Sequence, residues 1–401
     1  MNNAIRIVDG IYWVGSRDPE LRSFDLVMNT AHGSTYNAYV VEGEDAVALV
    51  ETTKHGFEEG FLASLREVVD PAKIDYLIVN HTEPDHSGAV AELLDAAPQV
   101  TVVGTRRALQ FLEQQQNRSF PSRAVKAGDT LELGGRTLSF LPSPFLHWPD
   151  TMFTYVAEDK LLFSCDVFGT HYCPETTLFD DELSDAQRTE YESEFGTYYQ
   201  AILSPYAGHV KKGLAKLEGL TVETICPSHG PVLRRDPSWQ IARYREWAAG
   251  VGEGKRAAVC FASIYGFTKQ LAETFAEALS GEGVETQLID IETTAPAEVV
   301  AACWRAGAVF LGSPTINGAP APQVHDVLGR LDPYHTKGKL FVGFGSYGWS
   351  GEAVELMNAR ALELKMRLLD GDKPGLQATF RPTEEDLEAA REMAKQVAAA
   401  L

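Results

Sequence analysis

Cysteine is scarce in this chain of 401 residues, which holds five and no Cys-x-x-Cys pair. An odd count without paired spacing argues against a disulfide framework and against a metal site made of cysteines alone. No apolar run approaches the ~18 residues that cross a bilayer. The residues Met1–Gly10 lack the apolar segment of a secretory signal peptide. We therefore expect a cytoplasmic protein.

Positive charge is also in short supply, because 35 Lys and Arg face 56 Asp and Glu, which gives a net charge of −21. Such an excess repels nucleic acid and anionic membranes, so neither is an expected partner. Hydrophobic residues make up 44% and charged residues 23%, values typical of a folded protein. At ~150 residues per domain, the length predicts two or three domains.

One domain boundary is predicted near residue 250. The stretch Trp247–Gly254 carries three glycines in eight residues and is interpreted as a linker. The predicted domains are therefore residues 1–250 and 251–401.

The first domain is expected to be a layered α/β structure with two sheets covered outside by helices. Short apolar runs separated by turn residues predict strands, and three longer amphipathic runs predict helices. The predicted strands are Ile11–Val14, Asn37–Val41, Ala46–Glu51, Tyr76–Asn80, Val100–Val103, Thr137–Leu141, Met152–Val156, Leu161–Ser164 and Thr224–Cys226. The predicted helices are Gly56–Val69, Ala89–Ala97 and Thr105–Gln116.

The second domain alternates strands and helices regularly, which predicts a doubly wound parallel sheet with a ligand site beyond the strand carboxyl ends. The predicted strands are Ala257–Ala262, Thr286–Asp290, Ala308–Gly312, Leu340–Gly345 and Gln377–Phe380. The predicted helices are Thr268–Ser280, Pro296–Trp304, Pro322–Leu331, Gly351–Leu369 and Thr383–Leu401.

The strongest chemical signal is the turn Asn80–Gly88, which follows an apolar strand and precedes a helix. His81, Glu83, Asp85 and His86 place four metal-ligand side chains within six positions. That crowding strains a single ion, and two adjacent metals use these groups better.

Three further ligand-type residues follow other predicted strands. His147 comes after the predicted strand Thr137–Leu141. Asp166 directly follows the apolar run Leu161–Cys165, and His229 comes after the predicted strand Thr224–Cys226. Strand ends converge on one edge of a sheet, so we expect these residues to join the turn.

Three loops of the second domain predict a flavin site. Ser263–Lys269 opens a helix with hydroxyls and a glycine, which suits a phosphate. Ser313–Gly318 and Ser346–Gly351 follow the third and fourth strands and could hold a flat ring. The run Gly343–Gly348 matches G-x-G-x-x-G, but it follows the fourth strand instead of opening the first βαβ unit, so NAD is not expected.

Together these motifs resemble the flavodiiron proteins, or type A flavoproteins, over essentially the whole chain. The hydrolases of the metallo-β-lactamase superfamily carry a second histidine where this chain has Glu83. The resemblance implies an N-terminal αββα metallo-β-lactamase-like sandwich and a C-terminal flavodoxin-like parallel sheet of strand order 2-1-3-4-5. It also implies two cofactors, a pair of iron ions and FMN.

For the metals, the resemblance implies His81, Glu83 and His147 on one iron, Asp85, His86 and His229 on the other, and Asp166 between them. Three carboxylates against two divalent ions leave one positive charge, and added oxygen ligation favours iron or manganese over zinc. Near the open coordination face, the resemblance suggests His171 and either Tyr198 or Tyr199 as pocket residues.

For FMN, the resemblance implies a phosphate loop and two loops around the ring. The phosphate-loop residues are Ser263, Ile264, Tyr265, Gly266, Phe267 and Thr268. The ring-loop residues are Pro314, Thr315, Ile316, Asn317, Gly318, Ser346, Tyr347, Gly348 and Trp349.

The implied activity is reduction of dioxygen to water, of nitric oxide to nitrous oxide, or of both, with electrons passing through FMN to the irons. No further redox module is recognisable, so we expect a separate donor such as rubredoxin or a reduced deazaflavin. The resemblance also implies a homo-oligomer, a head-to-tail dimer or a tetramer. Two alternatives are a hydrolase fused to a flavodoxin-like module and a non-catalytic electron carrier.

Overall fold

The structure, a computed structural model, describes residues 4–24, 28–250, 255–369 and 375–401. The chain divides into two compact units, residues 1–251 and 252–401, which are described separately. The linker prediction is wrong for Trp247–Ala249, because these residues complete the helix Pro237–Ala249. Gly250, at φ +70°, ends that helix, and residues 251–254 lie outside the described residues.

Two sheets form the centre of the first unit. The seven-stranded sheet consists, in spatial order, of Ile5–Val8, Ile11–Trp13, Tyr39–Glu42, Val47–Val50, Tyr76–Val79, Thr101–Thr105 and Ser122–Val125. The five-stranded sheet consists of Thr130–Glu132, Thr137–Pro142, Met152–Val156, Leu161–Cys165 and Thr224–Pro227. Each combines antiparallel hairpins with parallel pairs, as in Tyr76–Val79 beside Thr101–Thr105.

Side-chain alternation along the strands explains the layering. Val50 and Ile78 face the core between the sheets, where they join Phe140 and Phe163 of the other sheet. Their neighbours on the opposite strand face, such as Leu77, pack against the outer helices instead. The first unit is therefore an αββα sandwich, as predicted.

The longer helices of this unit cover the outer faces of the two sheets. They are Glu58–Val68, Val90–Ala96, Arg106–Gln116, Asp185–Tyr198, Ala207–Ala215 and Pro237–Ala249, and the short helix Pro84–Ser87 follows the strand Tyr76–Val79. A π-helical turn, Tyr199–Leu203, continues the helix Asp185–Tyr198.

The helix Asp185–Tyr198 was missed by sequence reasoning because its apolar residues are few. Only three of its fourteen residues are buried: Tyr191, Phe195 and Tyr198. Its start carries a clear local signal, since Ser184 and Gln187 form a reciprocal capping box.

The second unit is a parallel sheet with helices on both faces. Its strands, in spatial order, are Glu285–Asp290, Arg256–Phe261, Ala308–Gly312 and Leu340–Tyr347, followed by Arg367–Leu368 and Leu376–Thr379, which both pair with Leu340–Tyr347. Its helices are Phe267–Gly281, Pro296–Arg305, Pro322–Arg330, Pro333–Thr336, Glu352–Glu363 and Glu384–Ala400. The strand order 2-1-3-4-5 is confirmed.

One predicted helix is too long. The predicted segment Gly351–Leu369 contains the helix Glu352–Glu363 and the short strand Arg367–Leu368. Lys365, at φ +58°, lies between them, and this left-handed conformation is incompatible with a continuing helix.

Among the described helices, none combines the length and apolar composition needed to cross a membrane.

Candidate functional site

The ligand-rich turn begins where the strand Tyr76–Val79 ends. Pro84 is the first residue of the helical turn Pro84–Ser87, a position where its missing N–H costs nothing. The amide of His86 donates to the carbonyl of Glu83 at 2.9 Å. This tight turn places alternating ligand-type side chains at one end of the seven-stranded sheet.

The remaining ligand-type residues come from the five-stranded sheet. Asp166 directly follows the strand Leu161–Cys165, and His229 follows Thr224–Pro227 after one residue. His147 lies in the loop that joins two antiparallel strands of the same sheet. The structure thus brings all seven predicted ligand residues to one edge of the sandwich.

The first group of side chains surrounds Glu83. Its Oε2 atom lies 3.2 Å from Nε2 of His81 and 2.9 Å from Nε2 of His147. The Oδ2 atom of Asp166 lies 3.4 Å and 3.7 Å from the same two nitrogen atoms. These four residues could hold one ion between them.

The second group surrounds Asp85. Its carboxylate oxygens lie 3.4 Å from Nε2 of His86 and 3.1 Å from Nε2 of His229. The other oxygen of Asp166, Oδ1, lies 3.1 Å and 3.6 Å from these two nitrogen atoms. Asp166 therefore faces one group with each oxygen, which is the arrangement of a bridging carboxylate.

The donor set fits a pair of cations. Among the described residues, no hydrogen bond reaches the carboxylate oxygens of Asp85 or Asp166, although both side chains are buried. Both ring nitrogens of His86 are also without a hydrogen bond within the described part of the chain. Buried polar atoms are normally satisfied, so this concentration of unsatisfied donor atoms indicates a ligand that the chain itself does not supply.

The charges of the cluster are strongly coupled. Burial opposes the charged form of His86, but the carboxylates of Asp85 and Asp166 outweigh it and raise the His86 pKa to about 10. Burial likewise opposes ionisation of Asp166, and the imidazoles of His86 and His81 hold its pKa below the ordinary value. The cluster thus favours ionised carboxylates beside a positive charge, which metal ions would supply instead of protons.

Two buried acids beside this cluster were missed by sequence reasoning. Asp150 accepts hydrogen bonds from the amide and hydroxyl of Thr82, both at 2.8 Å. Glu51 accepts from the amide of Asn80 at 2.9 Å, and its other oxygen has no hydrogen bond among the described residues. Burial raises the pKa of Glu51 to about 8, against the opposing effect of His86. For Glu51, the available signal in the sequence was its position as a single acid at the end of the apolar strand Ala46–Glu51.

His171 lies next to the second group, as predicted for a pocket residue. Its ring centroid is 5.0 Å from those of both His229 and Tyr198, and Ser34 Oγ lies 2.9 Å from its Nδ1. Burial and the neighbouring His229 lower the pKa of His171 well below its ordinary value. Its Nε2 atom has no hydrogen bond among the described residues.

The two candidate tyrosines lie in different surroundings. Tyr198 contacts His171 and is 6.1 Å from His229 between ring centroids. Tyr199 packs against Tyr244 and Trp247, with ring centroids 4.9 Å apart in each pair. Only Tyr198 of these two therefore borders the histidine cluster.

The second unit contains a pocket of about 460 Å³ at the carboxyl end of its sheet. Thirteen predicted flavin residues line it: Ser263, Ile264, Tyr265, Phe267, Pro314, Thr315, Ile316, Asn317, Gly318, Ser346, Tyr347, Gly348 and Trp349. Ser350 and Phe380, which were not predicted, complete the lining.

The pocket walls suit a flat aromatic ligand. The side chains of Tyr265 and Trp349 are 81% and 100% exposed, and Phe380 is 58% exposed. Large apolar side chains rarely remain this exposed in one place unless they contact a ligand or partner. These rings therefore fit a flavin.

Two predicted phosphate-loop residues lie outside the pocket lining. Thr268 is buried, and its hydroxyl lies 3.0 Å from that of Ser346. Gly266, at φ +82°, is the residue before the helix Phe267–Gly281 and has no side chain to cap it. Ser263 instead accepts the amide of Lys269 at 3.2 Å.

Comparison with known proteins agrees with both halves of this description. Residues 35–230 match the family model described as ODP family beta lactamase, and residues 259–393 match the flavodoxin model. A type A flavoprotein of Rhodobacter capsulatus is 38% identical, over 98% of this chain and 91% of that protein. The chain belongs to the flavodiiron protein family.

Further relatives extend this result to structure. A nitric oxide reductase of Moorella thermoacetica is 36% identical to this flavodiiron protein, over 100% of this chain and 99% of the relative. The solved rubredoxin oxygen:oxidoreductase of Desulfovibrio gigas superposes with a TM-score of 0.85 at 30% identity, covering 99% of this chain and 98% of the other.

Proposed function

We propose that this flavodiiron protein is an oxidoreductase that reduces dioxygen to water, nitric oxide to nitrous oxide, or both. The observation that carries the proposal is the division of four imidazoles and two carboxylates into two groups around a third carboxylate, Asp166. A pocket in the same chain would hold FMN, the second redox component. Neither a hydrolase nor a simple electron carrier needs both features.

On this proposal the two groups would divide the ligand roles between two irons. His81, Glu83 and His147 would hold one iron, and Asp166 would be shared with the other. His86, Asp85 and His229 would hold the second iron. A bound iron pair supplies electron storage and open coordination positions for the gas. The described residues then orient the pair, balance its charge and keep bulk water away.

The surroundings of the second group would handle protons. Burial keeps the His171 imidazole neutral by lowering its pKa, so this ring can donate one hydrogen bond and accept another. Burial and the nearby Asp166 raise the pKa of Tyr198, so its hydroxyl keeps its proton. These two groups would bind reactant oxygen atoms by hydrogen bonds at the edge of the cluster.

In residues 251–401, FMN would occupy the pocket with its ring beside Tyr265 and Trp349. The phosphate would meet the loop Ser263–Thr268 at the start of the helix Phe267–Gly281, where the helix dipole favours an anion. Residues 1–250 would form the di-iron domain.

The electron donor would be a separate protein such as rubredoxin, in line with the name of the Desulfovibrio gigas relative. A head-to-tail homodimer would bring the flavin of one chain near the irons of another. If the purified protein is monomeric at assay concentration and turns over at full rate, this arrangement is wrong.

The function is tested with the purified, iron-reconstituted protein. We expect about two irons and one FMN per chain, and anaerobic consumption of nitric oxide or consumption of dioxygen when reduced rubredoxin is supplied. His147→Asn should lose iron and gas reduction while keeping FMN. His55→Asn is the matched control, because the His55 side chain is 89% exposed and lies in the same unit.

Three results would contradict the proposal. The first is a reconstituted protein that binds neither iron nor flavin. The second is gas reduction by His147→Asn at the wild-type rate, which would support the electron-carrier alternative. The third is hydrolysis of a thioester or β-lactam by the zinc-loaded protein, together with no gas reduction by the iron-loaded protein.

A further inference from the structure

The two groups around Asp166 differ in the chemical group that faces the Nδ1 atom of a histidine, on the side of the ring away from Asp166. In the second group, Nδ1 of His229 lies 2.7 Å from the carbonyl oxygen of Thr35, a neutral acceptor. In the first group, Nδ1 of His81 faces the carboxylate of Asp150, whose Oδ1 is 3.5 Å away. His81 of the first group is therefore backed by a carboxylate, and His229 of the second group is backed by a peptide carbonyl.

Asp150 is held firmly in this orientation. Its side chain is completely buried, and its Oδ2 atom accepts the amide and hydroxyl of Thr82 at 2.8 Å each. Thr105 donates to its backbone carbonyl at 3.0 Å. With Oδ2 fixed by Thr82, Oδ1 is left facing the imidazole of His81.

The two atoms that face each other in this contact form no hydrogen bond elsewhere in the described structure. Oδ1 of Asp150 and Nδ1 of His81 are both buried and lack a hydrogen bond to any described residue. A closer approach of about 0.5 Å would bring the pair within the normal N–H···O range. A carboxylate can only accept, so it holds the proton on Nδ1 and leaves the Nε2 lone pair free for a ligand.

Asp150 also links the segments that carry the first group. Thr82 lies between His81 and Glu83 in the chain, and Asp150 lies three residues after His147. The Asp150–Thr82 hydrogen bonds therefore join the ligand turn of one sheet to the ligand loop of the other.

We propose that Asp150 is a positioning residue that fixes the tautomer of His81 and thereby sets the metal affinity of the position formed by His81, Glu83 and His147. The other position is set independently of it. This inference rests on the proposed di-iron site and adds that the two positions are unequal by construction.

The test is Asp150→Asn in the full chain, reconstituted with ⁵⁷Fe and dialysed against graded chelator. Asparagine can still accept from Thr82, but its NH₂ group then faces Nδ1 of His81 and favours the wrong tautomer. We expect one iron to be lost at chelator concentrations about 10- to 100-fold lower than in the wild type. The second iron should be retained, leaving one of two Mössbauer doublets.

Asp9→Asn is the matched control, because it makes the same change at an aspartate of the same unit whose side chain is 91% exposed. We expect it to retain both irons as the wild type does. The inference is overturned if Asp150→Asn keeps both irons at wild-type affinity, if it loses both together, or if Asp9→Asn shows the same selective loss. A wild type that binds no iron at either position contradicts the proposed function instead.

A measurement on the wild type keeps the inference testable should Asp150→Asn fail to fold. In zinc-loaded protein with ¹⁵N-labelled histidine, the spectrum should show His81 bound through Nε2 with a proton on Nδ1 that exchanges slowly. Binding of His81 through Nδ1, or rapid exchange of its Nδ1 proton with solvent, would overturn the inference.

Discussion

The Nε2 atom of His147 and the Oε2 atom of Glu83 lie 2.9 Å apart, although the residues follow strands of different sheets. Burial opposes ionisation of Glu83, but hydrogen bonds to His147 and His81 hold its pKa below the ordinary value. By the resemblance described above, Glu83 occupies the position where hydrolases of the metallo-β-lactamase superfamily carry a second histidine. We therefore expect Glu83 to influence which metal the site prefers.

Glu83→His should move metal preference from iron toward zinc. The change replaces a charged oxygen donor by a neutral nitrogen donor, which suits zinc better. Reconstitution in equal iron and zinc, followed by elemental analysis, should give a higher zinc-to-iron ratio than in the wild type. Glu59→His, at an exposed position in the helix Glu58–Val68, should leave the ratio unchanged. An unchanged ratio in Glu83→His would show that Glu83 does not select the metal.

Tyr198→Phe and Tyr199→Phe should have separable effects. Tyr198 borders His171 and His229, so loss of its hydroxyl should lower gas turnover about tenfold or more with iron and FMN content unchanged. Tyr199 packs its ring on Tyr244 and Trp247, and phenylalanine keeps these contacts, so its variant should leave gas turnover at the wild-type value and change the unfolding free energy by no more than about 1 kcal/mol. Steady-state kinetics and urea unfolding distinguish them, and a reversed pattern would reject this assignment.

Glu51→Gln should reduce the pH dependence of stability in the metal-free protein. Burial raises the Glu51 pKa from 4.5 to about 8, so its stabilising contribution is complete below pH 4.5 and is lost as pH rises toward 8. Glutamine cannot titrate. The wild type should therefore lose stability relative to the variant across this window, by as much as about 1.4 kcal/mol per pH unit.

Urea unfolding of the chelator-treated proteins at pH 5, 7 and 9 measures this difference. Glu59→Gln, at an exposed position, should differ from the wild type by a constant amount at the three pH values. A constant difference for Glu51→Gln as well would mean that Glu51 is ionised throughout.

Trp349→Ala should weaken FMN binding without destabilising the protein. The Trp349 side chain is fully exposed and lines the pocket of the second unit, so it has little packing to lose. Loss of a stacking contact worth about 1 kcal/mol should raise the Kd about fivefold. Fluorescence titration of the FMN-free protein measures this. Leu362→Ala, 56% exposed in the same unit, should keep the wild-type Kd; equal affinity in both variants would place the ring elsewhere.

The second unit was predictable because each βα step is local. Strand and helix patterns there follow one another along the chain, and the observed bounds lie close to the predicted ones except in Gly351–Leu369, where the helix ends at Glu363. The ligand turn was predictable for the same reason, since four of its donors are contiguous with one apolar strand. The helix Asp185–Tyr198 was not predicted. Its buried residues Tyr191, Phe195 and Tyr198 do have helical spacing, but none of its first six residues is buried, so the apolar pattern is too short to indicate the whole helix.

What the sequence could not provide depends on contacts between distant segments. Adjacent residues of a helix point about 100° apart, so Tyr198 and Tyr199 cannot both face the cluster, and only the packing of the helix on Tyr244 decides between them. Asp150 and Glu51 become significant only through Thr82 and Asn80, which belong to another part of the chain.

The opposing faces of Asp166 have a consequence for the order of assembly. Its two oxygens meet histidines that reach it from both sheets, and His81 and His229 are 148 positions apart in the sequence. The unfolded chain therefore lacks a preformed binding site for a pair of cations. The complete iron site can therefore form only after the two sheets have packed against each other. Iron that binds there then stabilises the packed arrangement of the two sheets.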